Sequence, residues 1–435
     1  MTNKNIKSFS IKSFIKEETL GGILLIATTV IAMLWANSSW SEAYHHLWHK
    51  IDISVGFGNF NMSGNFHHWI NDGLMAIFFF TIGLEVKREI IGGELSSVKK
   101  AVLPISAAIG GMLIPATFYF LANINNPNFV GGWGIPMATD IAFVLGLLAM
   151  LGNKVPLSLK IFLTALAIAD DIGAILVIAI FYTDSIDYME LVNASIFMII
   201  LISGNYFGIR KTSFYAIIGL LGVWLAFMYS GVHATIAGVL IALTVPADAK
   251  IDENNYIKKL QEKLNLFSLK KPSENRLLTK EQAHLIDDIE KISIDAHTPL
   301  QKLEHALHPL TALIILPLFA LANAGIHIEG DILSLIFHPI SIGIILGLVF
   351  GKLIGISLFT FLFTKLNWAS LPEGVNFMHI IGAGLMAGIG FTMSIFIADL
   401  AFQNDEYIHI AKVGIFTASI ISAVFGMLII KIASK

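Results

Sequence analysis

Four ionisable residues stand where the sequence is otherwise oily. Asp140 lies mid-way along an apolar stretch, in Gly-Trp-Gly-Ile-Pro-Met-Ala-Thr-Asp. Asp170 and Asp171 are adjacent in Ala-Leu-Ala-Ile-Ala-Asp-Asp-Ile-Gly-Ala, and Lys352 lies in Val-Phe-Gly-Lys-Leu-Ile-Gly. A charge at the centre of a bilayer costs about 2.5–3.5 kcal/mol on insertion scales, so each is a functional candidate unless it merely locks its neighbours together. Locking is a costly use of charge, because desolvation often outweighs the attraction within a buried pair. Three acids against one base leave an anionic site that protons or a cation must neutralise. Neighbouring residues on a helix point about 100° apart, so Asp170 and Asp171 divide the labour. One can meet Lys352 while the other faces a water-filled cavity. Carboxylates crowded in low dielectric hold protons more tightly than in water and titrate as a unit. Such a site takes protons or a small hard cation, but not both together, which is the simplest physical basis for exchanging one for the other. Hard cations prefer oxygen ligands. Sodium or lithium on Asp170 and Asp171 fits that chemistry, with hydroxyls such as those of Thr139 or Thr164 completing the shell.

The elements that position these residues must be membrane helices. Of 435 residues, 55% are hydrophobic and 14% charged, against roughly 25% charged in soluble proteins. Runs long enough to span a bilayer, about 20 residues each, centre near residues 28, 78, 112, 141, 170, 197, 219, 238, 313, 350, 390 and 420. Basic residues test this count, because Lys and Arg favour cytoplasmic loops. Lys87, Arg88, Lys99 and Lys100 follow the second run, Lys154 and Lys160 the fourth, Arg210 and Lys211 the sixth and Lys365 the tenth, with Lys431 and Lys435 at the tail. The odd-numbered connections hold Lys50 and the acids Asp184, Asp187, Glu329, Asp331, Asp405 and Glu406. The reading is an all-α polytopic membrane protein of about twelve transmembrane helices, with both termini cytoplasmic. Helices one to eight fill residues 1–247, a cytoplasmic loop 248–302, and helices nine to twelve 303–435. Within the loop, Thr279-Lys280-Glu281-Gln282 fits a capping box opening a helix through Leu285, Ile286 and Ile289. That helix is either a solvated connector or a regulatory element. Lys4, Lys7, Lys12 and Lys16 before the apolar run Leu20–Ala36 resemble a secretory leader, but Glu17 and Glu18 intervene and no clean cleavage site follows, so a retained first helix is expected. A net charge of −3 gives no reason to expect nucleic acid, and the lack of cysteine excludes disulfides, thiolate catalysis and cysteine-held metals.

Two of the helices carry breaks. Gly131, Gly132, Gly134 and Pro136 precede Thr139-Asp140 in the fourth; Gly384, Gly388 and Gly390 precede Phe391-Thr392-Met393-Ser394 in the eleventh. Gly134-Ile135 and Ile141 match Gly388-Ile389 and Ile395, which sets Ser394 against Asp140. The two helices are seven apart and so run in opposite directions. Interrupted helices paired across oppositely oriented halves point to a transporter site. Their unwound ends leave opposed dipoles near the midplane, where Asp140 can offset the N-terminal ends and Lys352 the C-terminal ends.

At these residues the chain resembles the NhaA family of bacterial sodium/proton antiporters, itself a known case of inverted-topology repeats. The likeness covers nearly the whole chain. It includes Asn71-Asp72-Gly73-Leu74-Met75-Ala76, Gly83-Leu84-Glu85-Val86-Lys87-Arg88-Glu89, Ala138-Thr139-Asp140, Ser230-Gly231-Val232-His233-Ala234-Thr235, Leu303-Glu304-His305-Ala306-Leu307-His308-Pro309 and Gly388-Ile389-Gly390-Phe391-Thr392-Met393-Ser394. The resemblance implies electrogenic export of sodium or lithium against entering protons in a bacterial inner membrane, serving pH homeostasis and salt tolerance. It implies no cofactor, a homodimer in the lipid bilayer, Asp170 and Asp171 as the ion site, and Asp140 and Lys352 compensating the crossed ends beside Thr139. Lys352 would also pair with Asp170 when sodium is absent. Glu85, Glu304, His305, His308 and His233 match positions tied to activation by alkaline pH. The loop after the eighth helix is longer than is usual in the family.

Other chemistries fit less well. His305 and His308 beside Glu304 could ligate a metal from one helical face but lack the spacing of a zinc-hydrolase helix. An intramembrane aspartyl protease using Asp140 and Asp170 lacks its Gly-x-Gly-Asp signature, and Lys352 would quench the dyad. The expectation is a transporter rather than an enzyme. A passive cation channel would share the broken helices and acids; it differs by conducting sodium without proton counterflow.

Overall fold

The structure, a computed structural model, describes residues 2–57, 60–183, 186–270, 277–327 and 331–434, without the side chains of residues 2–18, 55, 57, 60–62 and 153. Asp184, Glu329 and Lys435 lie outside the described residues, as do the side chains of Lys4, Lys7, Lys12, Lys16, Glu17 and Glu18.

Along the chain, α1 (Thr19–Ala36) leads through an antiparallel hairpin, β1 (Asp52–Phe57) and β2 (Phe60–Asn65), to α2 (Met75–Gly92) and α3 (Val98–Asn123). A bent pair follows, α4 (Pro127–Met137) and α5 (Ile141–Met150), inclined by 50° across the break. Next come α6 (Leu157–Phe181), α7 (Tyr188–Tyr206), α8 (Thr212–Ser230) and the short α9 (Ala234–Thr244). The helices α10 (Glu253–Ser268) and α11 (Lys280–Ala296) precede α12 (Pro299–Asn323) and α13 (Pro339–Lys365). A second bent pair, α14 (Phe377–Met386) and α15 (Phe391–Ala401), is inclined by 47°, and α16 (Asp405–Ala433) ends the bundle.

Among the described residues, eight helices are long and apolar enough to cross a membrane, and the bent pairs raise the spans to ten. The other two expected segments are α2 and α9. Glu85, Lys87, Arg88 and Glu89 charge the end of α2. With 11 residues, α9 is roughly 16 Å long, about half a bilayer core. Every position read from the sequence thus carries an element, and both breaks fall where Gly and Pro placed them. The hairpin β1–β2 was not foreseen, because strands of six residues between aromatic clusters leave little alternation to read.

Large side chains point outward all round the bundle: Leu34 and Ile180 are 68% exposed and Leu221 62%. Polar groups instead occupy the interior, the reverse of a water-soluble protein and the arrangement lipid favours. Small residues let the helices approach. A Cβ on Gly355 would lie 2.1 Å from the Gly110 carbonyl oxygen, and one on Gly110 2.3 Å from that of Gly355. The contact seats α13 against α3, close to where α13 carries Lys352. Gly355→Ala is therefore expected to force the two backbones apart, costing about 1–3 kcal/mol or more. A thermal unfolding midpoint unchanged from wild type in detergent would contradict this contact.

Outside the bundle, α10 and α11 lie antiparallel, with Lys263 2.7 Å from Asp288 and Lys270 2.6 Å from Glu281. Hydrogen bonds from these lysines hold both exposed carboxyls below their ordinary range. At the start of α11, Thr279 Oγ1 accepts from the Gln282 N–H (3.2 Å) and Gln282 Oε1 from the Thr279 N–H (3.0 Å), the capping box read in the sequence. The helix α10 was not anticipated.

Candidate functional site

The two broken segments cross at their breaks. The Asp140 N–H donates to the Ile389 carbonyl (2.8 Å), and Ser394 Oγ to the Ile135 carbonyl (2.8 Å). Here α5 and α15 begin side by side, and one carboxylate serves both. Asp140 Oδ1 accepts from the Phe143 N–H (3.0 Å), capping α5. Its Oδ2 accepts from the Thr392 N–H (3.1 Å) and from Thr392 Oγ1 (2.5 Å), at the first turn of α15. Two helix N-termini, each with unpaired N–H groups and a partial positive charge, thus converge on one negative side chain. Thr392 had not been singled out, although its hydroxyl next to a Gly-rich break was a readable signal. The pairing set Ser394 against Asp140; in space Asp140 meets Thr392, while Ser394 bonds the carbonyl of Ile135.

The α6 carboxylates separate as their 100° offset requires. Asp170 is wholly buried and its Oδ2 lies 2.5 Å from Lys352 Nζ, itself wholly buried on α13 just after a π-helical turn, Leu346–Gly351. Thr139 Oγ1 lies 2.9 Å from Asp170 Oδ2 and 3.0 Å from the Ala387 carbonyl, so its single proton serves one of the two, while it accepts from Lys352 Nζ (3.0 Å). The lysine thus reaches the C-terminal end of α14 through the threonine rather than directly. Asp171, 5% exposed, points elsewhere. It lines a cavity of about 60 Å³ together with Thr139, Asp140, Thr164, Thr392 and Glu85, room for a few waters. Three carboxylates and no lysine or arginine line this space. Asp170 Oδ1 and Asp171 Oδ1 are buried without a hydrogen-bond partner. A wider depression of about 580 Å³ beside Trp35, Glu42 and His46 lies at the surface and contains none of these residues.

The residues matched to pH response are not one cluster. Glu304, buried on α12, pairs with Arg88 of α2, and Arg88 also donates to Glu89 at 2.9 Å. His308, one turn along the same face, lines the cavity with Glu85. His305 is exposed on another face of α12. Among the described residues, no three or more His, Asp or Glu side chains stand together as a metal site would require. His233 stands just before α9 without a side-chain capping bond, and its Nε2 lies 2.7 Å from the Tyr182 carbonyl, just past the end of α6. Tyr182 is 18 residues beyond Thr164, roughly 27 Å along the helix, so His233 sits at the opposite end of the bundle.

An all-α polytopic fold in which two interrupted helices cross at a buried charged site is the architecture of a secondary transporter. Residues 12–430 match the profile of the family described as Na+/H+ antiporter 1. The Na+/H+ antiporter NhaA of Oleidesulfovibrio alaskensis is 46% identical, covering 97% of this chain and 93% of its own. The Na+/H+ antiporter NhaA 1 of Psychromonas ingrahamii is 48% identical over 96% and 95% of the two chains. The Na+/H+ antiporter NhaA of Wolinella succinogenes is 45% identical, covering all of this chain and 95% of its own. The chain belongs to the NhaA family of Na+/H+ antiporters.

Proposed function

We propose that this protein exchanges sodium or lithium for protons by competition at Asp170 and Asp171, moving more protons inward than alkali ions outward. The relatives are named Na+/H+ antiporters. The observation that carries the site assignment is the division of the two aspartates: Asp170 paired with Lys352, and Asp171 on a small cavity whose lining holds three carboxylates and no lysine or arginine. An alkali ion entering that cavity finds carboxylate and hydroxyl oxygens from Asp171, Thr139 and Thr164. It competes with Lys352 for Asp170, and with protons for both aspartates. Two titrating carboxylates against one monovalent ion give net charge movement in each cycle. Asp140 holds α5 and α15 together at the crossing, so the ligands stay at fixed spacing while occupancy changes.

Orientation follows from the basic residues. Lys87, Arg88, Lys154 and Lys160 belong to the end at which Glu85 and Glu304 stand, so that end is cytoplasmic, in a bacterial inner membrane with both termini inside. Glu85, Glu304 and His308 there serve the response to alkaline pH. The exposed His305 and the distant His233 act on it separately. The working unit is a homodimer, as the family resemblance implies.

The reading is tested in sealed vesicles containing the purified protein. An imposed sodium gradient is expected to drive opposite proton movement, and lithium to do the same, with charge displacement at zero imposed potential. Sodium flux without proton counterflow would make the protein a channel instead.

A further inference from the structure

The leg of the second broken segment that leaves the crossing, α15, ends in a polar knot at the far end of the bundle. Asp399, seven residues beyond Thr392, has a side chain 11% exposed. Its Oδ1 is 3.4 Å from Lys412 Nζ of α16, and its Oδ2 accepts from Asn71 Nδ2 at 3.3 Å. His67 Nε2 lies 3.8 Å from the same oxygen. Asn71 Oδ1 in turn accepts from Asn323 Nδ2 at the end of α12 (3.0 Å), and Asn323 Oδ1 is 2.8 Å from His67 Nε2. Between this knot and the ion site lies an aromatic layer. Phe396 of α15 packs against Phe79 of α2 (ring centroids 5.5 Å apart) and Phe319 of α12 (6.3 Å), and all three are buried to within 1%.

The elements joined here are the two walls of the cavity. Asp140, Thr392 and Met393 line one side; Phe78, Thr81 and Glu85 of α2 and His308 and Thr311 of α12 line the other. Towards the Glu85 end the walls part enough to leave the cavity. Towards the opposite end they meet through the three phenylalanines and then through Asp399. Asp399 lies on the same unbroken 11-residue helix whose N-terminus Asp140 serves, so the knot and the crossing move together.

We propose that Asp399 is a further positioning residue of the exchange cycle, the latch that holds α15 against Asn71, in the turn that leads into α2, and through it against α12, and so shuts the ion site from the outer side. The assignment rests on the transport reading above. A site that exchanges ions between two sides must open to each in turn, and the outer opening requires Asp399 to part from Asn71. A carboxylate suits the latch, because its two oxygens meet the Lys412 charge and accept from Asn71 together.

The protein has no cysteine, which makes the test direct. In the variant Asn71→Cys/Asp399→Cys, a short bifunctional methanethiosulfonate is expected to cut sodium-driven proton movement at least tenfold, with recovery in dithiothreitol. A monofunctional reagent on the same variant should leave more than half. Separately, Asp399→Ala is expected to change turnover and apparent sodium KM by different factors, each more than threefold, and Asp399→Glu to restore both to within twofold. Undiminished exchange in protein shown by mass to be bridged would overturn the latch, as would failure to bridge under turnover, or an Asp399→Ala variant with unaltered kinetics. These outcomes count only where the wild-type protein exchanges; if it does not, the transport reading fails first.

Discussion

Asp171→Asn is expected to abolish exchange while the protein still inserts and folds. Asparagine keeps the shape of the side chain but neither carries the charge nor takes up and releases the proton. The rate of sodium-driven proton movement should fall by about 100-fold or more, the equivalent of ~2.7 kcal/mol. Stability should not suffer, because Asp171 Oδ1 has no hydrogen-bond partner to lose and the side chain is buried. A neutral amide there removes a desolvated charge rather than a contact. The check pairs vesicle exchange with the thermal midpoint of the same preparation. Wild-type exchange in this variant would remove Asp171 from the site; loss of both exchange and folding would give it a structural role instead.

Lys352→Ala is expected to act in the opposite order, on stability first. Asp170 and Lys352 are both wholly buried, and removal of the lysine leaves the Asp170 charge with only Thr139. Breaking a buried pair from one side costs about 3–5 kcal/mol, a large part of the total stability of most domains. Replacing both partners tells a different story. Asp170→Asn with Lys352→Met leaves no uncompensated charge and fills similar volume, so its midpoint should recover most of the loss. Exchange should remain absent, because the carboxylate for which sodium and lysine compete is gone. Thermal unfolding in detergent, with vesicle exchange on the same samples, separates the two effects. If the single variant were as stable as wild type, the pair would not be what holds α6 to α13.

These expectations bear on what kind of information a membrane sequence holds. The positions of the apolar segments and the two breaks were legible in advance. A bilayer tolerates few charges and few unpaired backbone groups, so it writes its constraints onto local composition. The capping box at Thr279, outside the bundle, was legible for a different reason: its partners lie three residues apart. The isolated charges at Asp140, Asp170, Asp171 and Lys352 likewise announced themselves against an apolar background.

What only the tertiary structure decided is which of these groups meet, and through what. The residues alone left open which aspartate meets Lys352; the family resemblance pointed to Asp170, and the pairing depends on the rotation of α6 against a helix 182 residues away. That Thr392 ties α15 to Asp140, across 252 residues, depends on two breaks meeting at one depth. His305 and His308 look equivalent in the chain, yet one is exposed and the other lines the cavity, because helix packing turns only one of them inward. Asp399 carries no local mark at all. It lies at a helix end, where charge costs little, and its role is visible only once Asn71, Asn323 and Lys412 surround it. Composition registers the cost of placing a charge in lipid; it does not register the direction in which a rigid helix aims it.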